Sequence, residues 1–323
     1  MVEGSATLPG RSELLARSRL TWIAASVVGC AVLAAVPLAT DRRDVLNLLF
    51  LVFLSVTLGQ SWNILAGFAG QVNLGHAAFF GIGALVTRNL WIANGLPFPL
   101  AFAAGGLTAV AFALVIGVPT FRLRGAYFAI GTLGVGEVLR LTTANALPLV
   151  SALPADIVAT YDLTARYHLA LGLAVVAMLV AYLLLRSRVG LGILAVREDE
   201  EAAQATGIDP LRHKLLALTL SSLLAGLAGA TYAYYGVSYY PELAFSPTWT
   251  FDAVLITYVG GLGTLLGPLV GAVFYVLVRE QLAINLVQVH QVIFGILFIV
   301  IVLALPGGIT DLWGRLGRRR GQG

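Results

Sequence analysis

Apolar residues fall along this chain in runs of around twenty, separated by short polar stretches, and they do not alternate with polar residues as strand positions would. A helix needs about 20 residues to cross the hydrocarbon of a bilayer, and in lipid every backbone group has to be bonded internally. The pattern predicts helical spans near 22–40, 45–66, 76–94, 98–118, 125–145, 167–185, 215–236, 249–262, 267–285 and 288–306. Segment 249–262 is short and ends in glycine, so a re-entrant helix is the alternative there, and the span number lies between about eight and ten. The expected fold is all-α and polytopic. A single transmembrane domain over 22–306 lies between a tail at 1–21 and a basic tail at 307–323.

Two regions interrupt the helical pattern with clustered small residues. One runs from Gly67 through Gly70, Gln71, Asn73, Gly75 and His76 to Gly81 and Gly83; the other runs from Gly260 through Gly263 and Gly267-Pro268 to Gly271. Each is a glycine-punctuated break followed by a glycine-spaced helix, and interrupted spans in corresponding halves point to a transport pathway built on an internal repeat. Gln60, Asn63, Gln71, Asn73 and His76 form a polar series around the first break. Such groups inside a bilayer either tie the broken backbone to neighbouring helices or line a water-filled path. A metal site at His76 is not expected, because no second ligand lies at helical spacing.

The longest polar stretch between apolar segments, 186–214, contains a short helix with a built-in end. Asp199, Glu200 and Glu201 suit the positive end of a helix dipole, Ala202, Ala203 and Ala205 are strong helix formers, and Gly207 can adopt a left-handed cap. Asp209-Pro210 then reads as the N-cap and first position of the next helix. Such a helix on the cytosolic face is a handle for another protein; a solvated loop is the alternative.

Glu137 and Arg140 stand three apart on the fifth predicted span, share a face and can pair. Pairing for structure and a gate or proton relay both remain open. Gly131, Gly134 and Gly136 just before them, like Gly263, Gly267 and Gly271, permit close helix packing or a glycine-lined passage for a small solute.

Composition narrows the class. Of 323 residues, 59% are hydrophobic and 11% charged, and mean hydropathy is +0.89; soluble domains carry about 25% charged residues. The net charge of +4 is no nucleic-acid signal. Basic residues cluster at Arg11, Arg17 and Arg19, at Arg122 and Arg124, over 186–214 and at 315–320, where the positive-inside rule puts them if both termini are cytosolic. Arg42 and Arg43 fall outside in that arrangement, flanked by Asp41 and Asp44. Residues 22–40 are long enough to remain as a first span, and no cleavable signal peptide is expected. Cys30 is the single cysteine, so no disulfide forms within the chain. Lys214 is the chain's single lysine and follows Arg212-His213, so a glycine-rich phosphate loop ending in Gly-Lys cannot exist. No His-Glu-x-x-His or Gly-x-Ser-x-Gly occurs either, and no enzymatic activity is expected. If ATP drives the protein, another chain binds it.

Four stretches together carry a family resemblance. Residues 65–84 (Leu-Ala-Gly-Phe-Ala-Gly-Gln-Val-Asn-Leu-Gly-His and onward), 122–141, 195–217 with Glu201-Ala202-Ala203 and Gly207, and 260–268 resemble, in order, the permease subunits of branched-chain amino acid ABC importers. The likeness runs from about 45 to 305 and is closest to the M-subunit type of the leucine/isoleucine/valine system. The apolar tail that often follows the Glu-Ala-Ala-x3-Gly core in other ABC importers is not recognisable here. The resemblance implies a multi-pass subunit of the bacterial cytoplasmic (inner) membrane that forms half of a translocation pathway. Its partners would be a second, homologous permease, two cytosolic ATPase subunits that bind the ATP, and an extracytoplasmic solute-binding protein. No cofactor is implied for this chain. Residues 197–209 would be the coupling helix, with Arg197, Glu200, Glu201, Ala202, Ala203 and Gly207 as the ATPase-coupling residues. Gln60, Asn63, Gly70, Gln71, Asn73, Gly75, His76, Gly81 and Gly134 would be the pathway candidates. Similar permeases move urea, short amides or other small organic solutes. The competing class is an ion-coupled secondary transporter using Glu137 and the broken helices. A purely structural scaffold would have no use for two broken helices.

Overall fold

The computed structural model describes residues 26–40, 42–146, 152–285, 295–296, 299–300, 303 and 307–311. Among them the only β pairing is an isolated antiparallel bridge between Ala152 and Ser238. The fold is all-α, as lipid requires of a backbone that cannot bond to water. Helix α1 (Ser26–Ala39) is apolar and belongs to a unit of its own, ahead of the second, which begins at Asp44. The second unit starts with α2 (Arg43–Trp62), which widens into a π turn over Asn63–Phe68. It continues with α3 (His76–Arg88), α4 (Phe98–Thr120), α5 (Ala126–Ala146), α6 (Ala155–Ala159), α7 (Leu163–Arg186) and α8 (Arg188–Glu198). Then come α9 (Glu200–Ala205), α10 (Pro210–Tyr235), α11 (Pro241–Ala244), α12 (Thr248–Gly260) and α13 (Gly267–Asn285). Arg43–Phe68, Phe98–Thr120, Leu163–Arg186 and Pro210–Tyr235 are long and apolar enough to cross a membrane. The first nine predicted spans each carry a helix. The tenth, 288–306, and both tails lie largely outside the described residues.

Within the second unit α10 packs against α3, α4, α7 and α8. Small residues make this possible. Gly83 of α3 meets the backbone of Gly226 in α10, and Gly226 meets Gly106 and Ala109 of α4. Close backbone approach of this kind holds helices together where lipid removes the hydrophobic force between them. One end of α10 is closed by two buried arginines. Arg88 donates to the carbonyls of Ala233, Gly236 and Val237 at 3.0, 3.0 and 2.9 Å. Arg166 donates to Tyr234 at 2.9 Å, its guanidinium lying 3.7 Å from the Tyr161 ring centroid and 4.2 Å from that of Tyr234. Cations suit a helix C-terminus, and aromatic faces favour them. The opposite end gathers the first break, α8, α9 and the turn at 261–266.

Helix α12 has 13 residues, or about 20 Å at 1.5 Å per residue, against a hydrocarbon thickness of about 30 Å. Its shortness has a cause that the apolar pattern did not reveal. The chain before it, Gly236–Pro247, is already inside the bundle: Tyr239, Pro241, Ala244 and Phe245 are buried, and Phe245 packs on Gly81 partway along α3. Irregular backbone survives at such depth only when enclosed by protein. Here α11 satisfies part of it, with Leu243 donating to Tyr240 and Phe245 to Pro241, both at 3.0 Å, and the Trp249 indole donates to Leu243 at 2.8 Å. Past α12 the chain reverses at Gly261, where φ is +129°. Helix α13 returns antiparallel, with Asp252 and Arg279 paired at 3.3 Å near its far end.

Candidate translocation and coupling site

The two glycine-punctuated breaks meet. Asn63 opens the π turn, and its side-chain amide spans the gap to the second break. Its Nδ2 donates to the Thr264 carbonyl at 2.9 Å, while its Oδ1 accepts from Gly263 N–H at 2.8 Å. One buried side chain thus satisfies a donor and an acceptor that an interrupted helix leaves open. Such π turns inside helices occur frequently at functional sites. Thr257 on α12 adds a second link by donating to the Gly59 carbonyl at 3.1 Å.

Asn73 and His76 close the first break from the other side. Asn73 Oδ1 accepts from Gly75 N–H at 2.8 Å, an Asx turn that leads into α3, and its carbonyl accepts from the Trp62 indole at 2.8 Å. His76 Nε2 lies 2.7 Å from Ser61 Oγ, whose hydroxyl donates to the Leu58 carbonyl at 2.7 Å. With the Ser61 hydroxyl donating to Leu58, Nε2 carries the proton, and Nδ1 has no partner among the described residues. Thr250 and Thr132 donate no chemistry that sequence reasoning had singled out, yet both hold the entry to α3. The Thr250 hydroxyl accepts from Ala77 N–H at 2.8 Å and that of Thr132 from Leu74 N–H at 3.1 Å. The signal available for them was a hydroxyl within an apolar run, which is too common to read alone.

The other predicted residues separate. Gln60 is fully buried, and neither atom of its amide has a partner among the described residues. Gln71 is half-buried and its amide reaches only the Ala69 carbonyl at 3.3 Å. Gly70 is left-handed, with φ +70°, and the aliphatic part of Arg197 lies against it. Gly75 abuts the Thr132 carbonyl and Gly81 abuts the Phe245 ring, so both are packing contacts in which a Cβ has no room. Gly134 is not brought to this cluster: it is exposed on α5 with nothing within 4 Å of a Cβ placed there. Glu137 and Arg140, further along α5, form the expected pair. Arg140 Nε donates to Oε2 at 2.9 Å and Nη2 to Oε1 at 2.6 Å, and both side chains stay half-exposed.

The polar stretch after α7 is two helices, α8 and α9, meeting at Asp199, rather than one helix over 197–209. Asp199 leaves the helical region so that its carboxylate can accept from Glu201 and Ala202 N–H, both at 2.9 Å. The far end of α9 is a Schellman motif: Ile208 N–H donates to Ala203 at 3.1 Å and Gly207 N–H to Gln204 at 3.0 Å, with Gly207 at φ +88°. Asp209 caps α10 through Arg212 N–H at 3.2 Å, with Pro210 at its first position. Three of the coupling candidates are engaged within the chain. Ala203 is buried against the chain, Glu200 pairs at 2.6 Å with the buried Lys214, and Arg197 Nη1 donates to the Gly67 carbonyl at 2.6 Å. Glu201, Ala202 and Gly207 are exposed.

A family model described as the permease component of branched-chain amino acid transport systems matches residues 45–302. The chain is 29% identical over 302 residues to the high-affinity branched-chain amino acid transport system permease protein LivM of Escherichia coli K12, covering 84% of this chain and 71% of that protein. It is 24% identical over 322 residues to the probable branched-chain amino acid transport permease protein LivM of Methanocaldococcus jannaschii, covering 82% and 93%. A shorter likeness, 29% over 197 residues and 55% of this chain, is to the autoinducer 2 import system permease protein LsrC of an Enterobacter species. No solved structure matches the chain.

Proposed function

The chain belongs to the family of branched-chain amino acid transport system permease components, and from that premise we propose that it is one half of the membrane pathway of an ATP-driven importer of branched-chain amino acids. The single observation that carries the reading is that the match, 45–302, takes in both breaks and the capped α9 in one continuous stretch. The chain is a multi-pass membrane protein. In this reading it sits in the bacterial inner membrane with α9 and both termini on the cytosolic side, catalyses no reaction and binds no nucleotide. Two ATPase subunits bind ATP and dock on the exposed Glu201, Ala202 and Gly207; Arg197, Glu200 and Ala203 serve the same coupling from inside the chain.

The second permease belongs against α5. Tyr127, Ile130, Gly134, Val138 and Leu141 recur at three- and four-residue spacing along that helix, and all are exposed. The half-exposed Glu137–Arg140 pair lies beside that stripe. A charged pair facing lipid is unfavourable, so this face borders a partner or a polar passage. Gly134 lines the passage between the two permeases, and Gln60, with its unengaged amide, is the interior residue best suited to solute or water. Asn63, Gly70, Gln71, Asn73, Gly75, His76 and Gly81 hold the shape of the breaks that flank it. An extracytoplasmic binding protein delivers the solute at the opposite end.

The test is uptake of labelled leucine, isoleucine and valine by proteoliposomes carrying the chain with its partner subunits. ATP inside and binding protein outside should both be required, and ionophores should have no effect. Uptake that needs no ATP and collapses with an ionophore would return the chain to the class of secondary transporters.

A further inference from the structure

Arg197 has a place in the structure that its position in the polar stretch does not explain. It stands near the end of α8, two residues before Asp199, the cap of α9. Its side chain nevertheless runs toward the breaks. The Cβ and Cγ lie against left-handed Gly70, and Nη1 donates to the carbonyl of Gly67 at 2.6 Å. The same Nη1 fills the space beside Gly263, where an added Cβ would come within 2.8 Å of it. Its Nε lies 3.7 Å from Glu198, an exposed carboxylate on its own helix. The Asn63 oxygen that accepts from Gly263 N–H also lies beside Gly67. One guanidinium therefore touches both interrupted segments and belongs to the short connection leading into α9.

From this juxtaposition we infer that Arg197 is the positioning residue through which a displacement of α9 reaches both backbone breaks. The inference rests on the reading of α9 as the ATPase-docking element and adds the route inward. The Gly67 carbonyl is held by a charged donor, and charge-assisted hydrogen bonds are short and about twice as strong as neutral ones. Moving α8 and α9 as one piece then pulls on Gly67 directly and on Gly263 through the space the guanidinium occupies. Lysine is a poor substitute, because a point donor cannot hold the Gly67 carbonyl and fill the planar slot at Gly263 together.

The experiment uses the whole reconstituted importer in a Cys30→Ser background. Spin labels at Gln204 on α9 and Leu266 on the second break are each paired with one at Leu107, an exposed site on α4. With Arg197 present, both distances should change when ATP is bound. In Arg197→Gln the Gln204 distance should still change and the ATPase subunits should still co-purify, while the Leu266 change is lost and substrate-stimulated hydrolysis falls to its basal rate. Arg197→Lys should give an intermediate change at Leu266. An undiminished Leu266 change in Arg197→Gln overturns the inference; if that variant accumulates poorly, an undiminished change in Arg197→Lys does so instead. Loss of the ATPase subunits from Arg197→Gln makes Arg197 a docking contact, which overturns the inference and leaves the coupling reading standing. No ATP-dependent change at Gln204 even with Arg197 present overturns both.

Discussion

Gln60 near the end of α2 and Asn63 at the start of the π turn have opposite fates: the Asn63 amide bonds through both its nitrogen and its oxygen, whereas the Gln60 amide has no partner among the described residues. Removing a buried polar group that has no partner costs folding little, whereas removing one of a bonded pair leaves the other unsatisfied at about 1–3 kcal/mol. Gln60→Leu should therefore keep the thermal midpoint at or above that of the unmodified chain while lowering uptake by about tenfold, equivalent to about 1.4 kcal/mol. Asn63→Leu should lower the midpoint as well. Equal uptake in Gln60→Leu and the unmodified protein removes Gln60 from the pathway. At Gly81 a leucine side chain enters the space of the Phe245 ring, and overpacking of this kind costs about 1–3 kcal/mol. Gly81→Leu should thus lose uptake together with thermal stability, checked by a melt of the purified protein. For the ion pair, Glu137→Gln should impair assembly with the second permease more than substrate affinity, and adding Arg140→Gln should recover much of the loss. A double variant as poor as the two single losses combined argues against direct pairing. The polar residues of the first break were legible in sequence because such groups are rare in apolar runs. Their partners were not: Asn63 bonds to residues two hundred positions away, and nothing local encodes that meeting.

The far end of α9 and the start of α10 were readable because caps are local chemistry, whereas Asp199, expected as an acidic residue of the first turn, is the N-cap that parts α8 from α9. Asp199, Gly207, Asp209 and Pro210 each perform at their own backbone what their residue types favour. Which way the alanines of α9 face was not readable. That depends on how α9 lies on α8 and α10, and it turns Ala203 inward and leaves Ala202 outward. The coupling test follows from this orientation. Ala202→Trp should hold a docked ATPase away and uncouple hydrolysis from uptake with little change in thermal stability. Ala203→Trp should instead destabilise the chain through overpacking, by about 1–3 kcal/mol. Proline at Gly207 cannot adopt φ +88°, so Gly207→Pro should redirect the helix end and uncouple as well. Pull-down of the ATPase subunits beside substrate-stimulated hydrolysis distinguishes these outcomes; full association and full stimulation in both Ala202→Trp and Gly207→Pro would remove α9 from the coupling role. The segment 236–247 read in sequence as the connection between the predicted spans 215–236 and 249–262, and its partial burial among the helices was not readable. Gly236, Pro241 and Pro247, with Ser238 and Glu242 between them, marked the break in helix but not its depth.

At the scale of the molecule, an apolar period and two interrupted spans sufficed to predict an all-α membrane protein, and each of the first nine predicted spans carries a helix. The spans were legible because lipid leaves so few options to a backbone. What the period could not supply is which helices touch, since α10 finds α3 and α4 through small residues that look alike in every span. Nor does a single chain display its pathway whole, with Gln60 enclosed and Gly134 on an open face of α5. The account holds that these become one passage only in a complex driven by ATP. The most direct measurement is the uptake of labelled leucine into proteoliposomes of the full complex, with ATP inside and the binding protein outside. It should proceed with ATP, stop without it, ignore ionophores and fail in Ala202→Trp. Uptake by the chain without ATPase subunits, sustained by an ion gradient alone, would contradict the account.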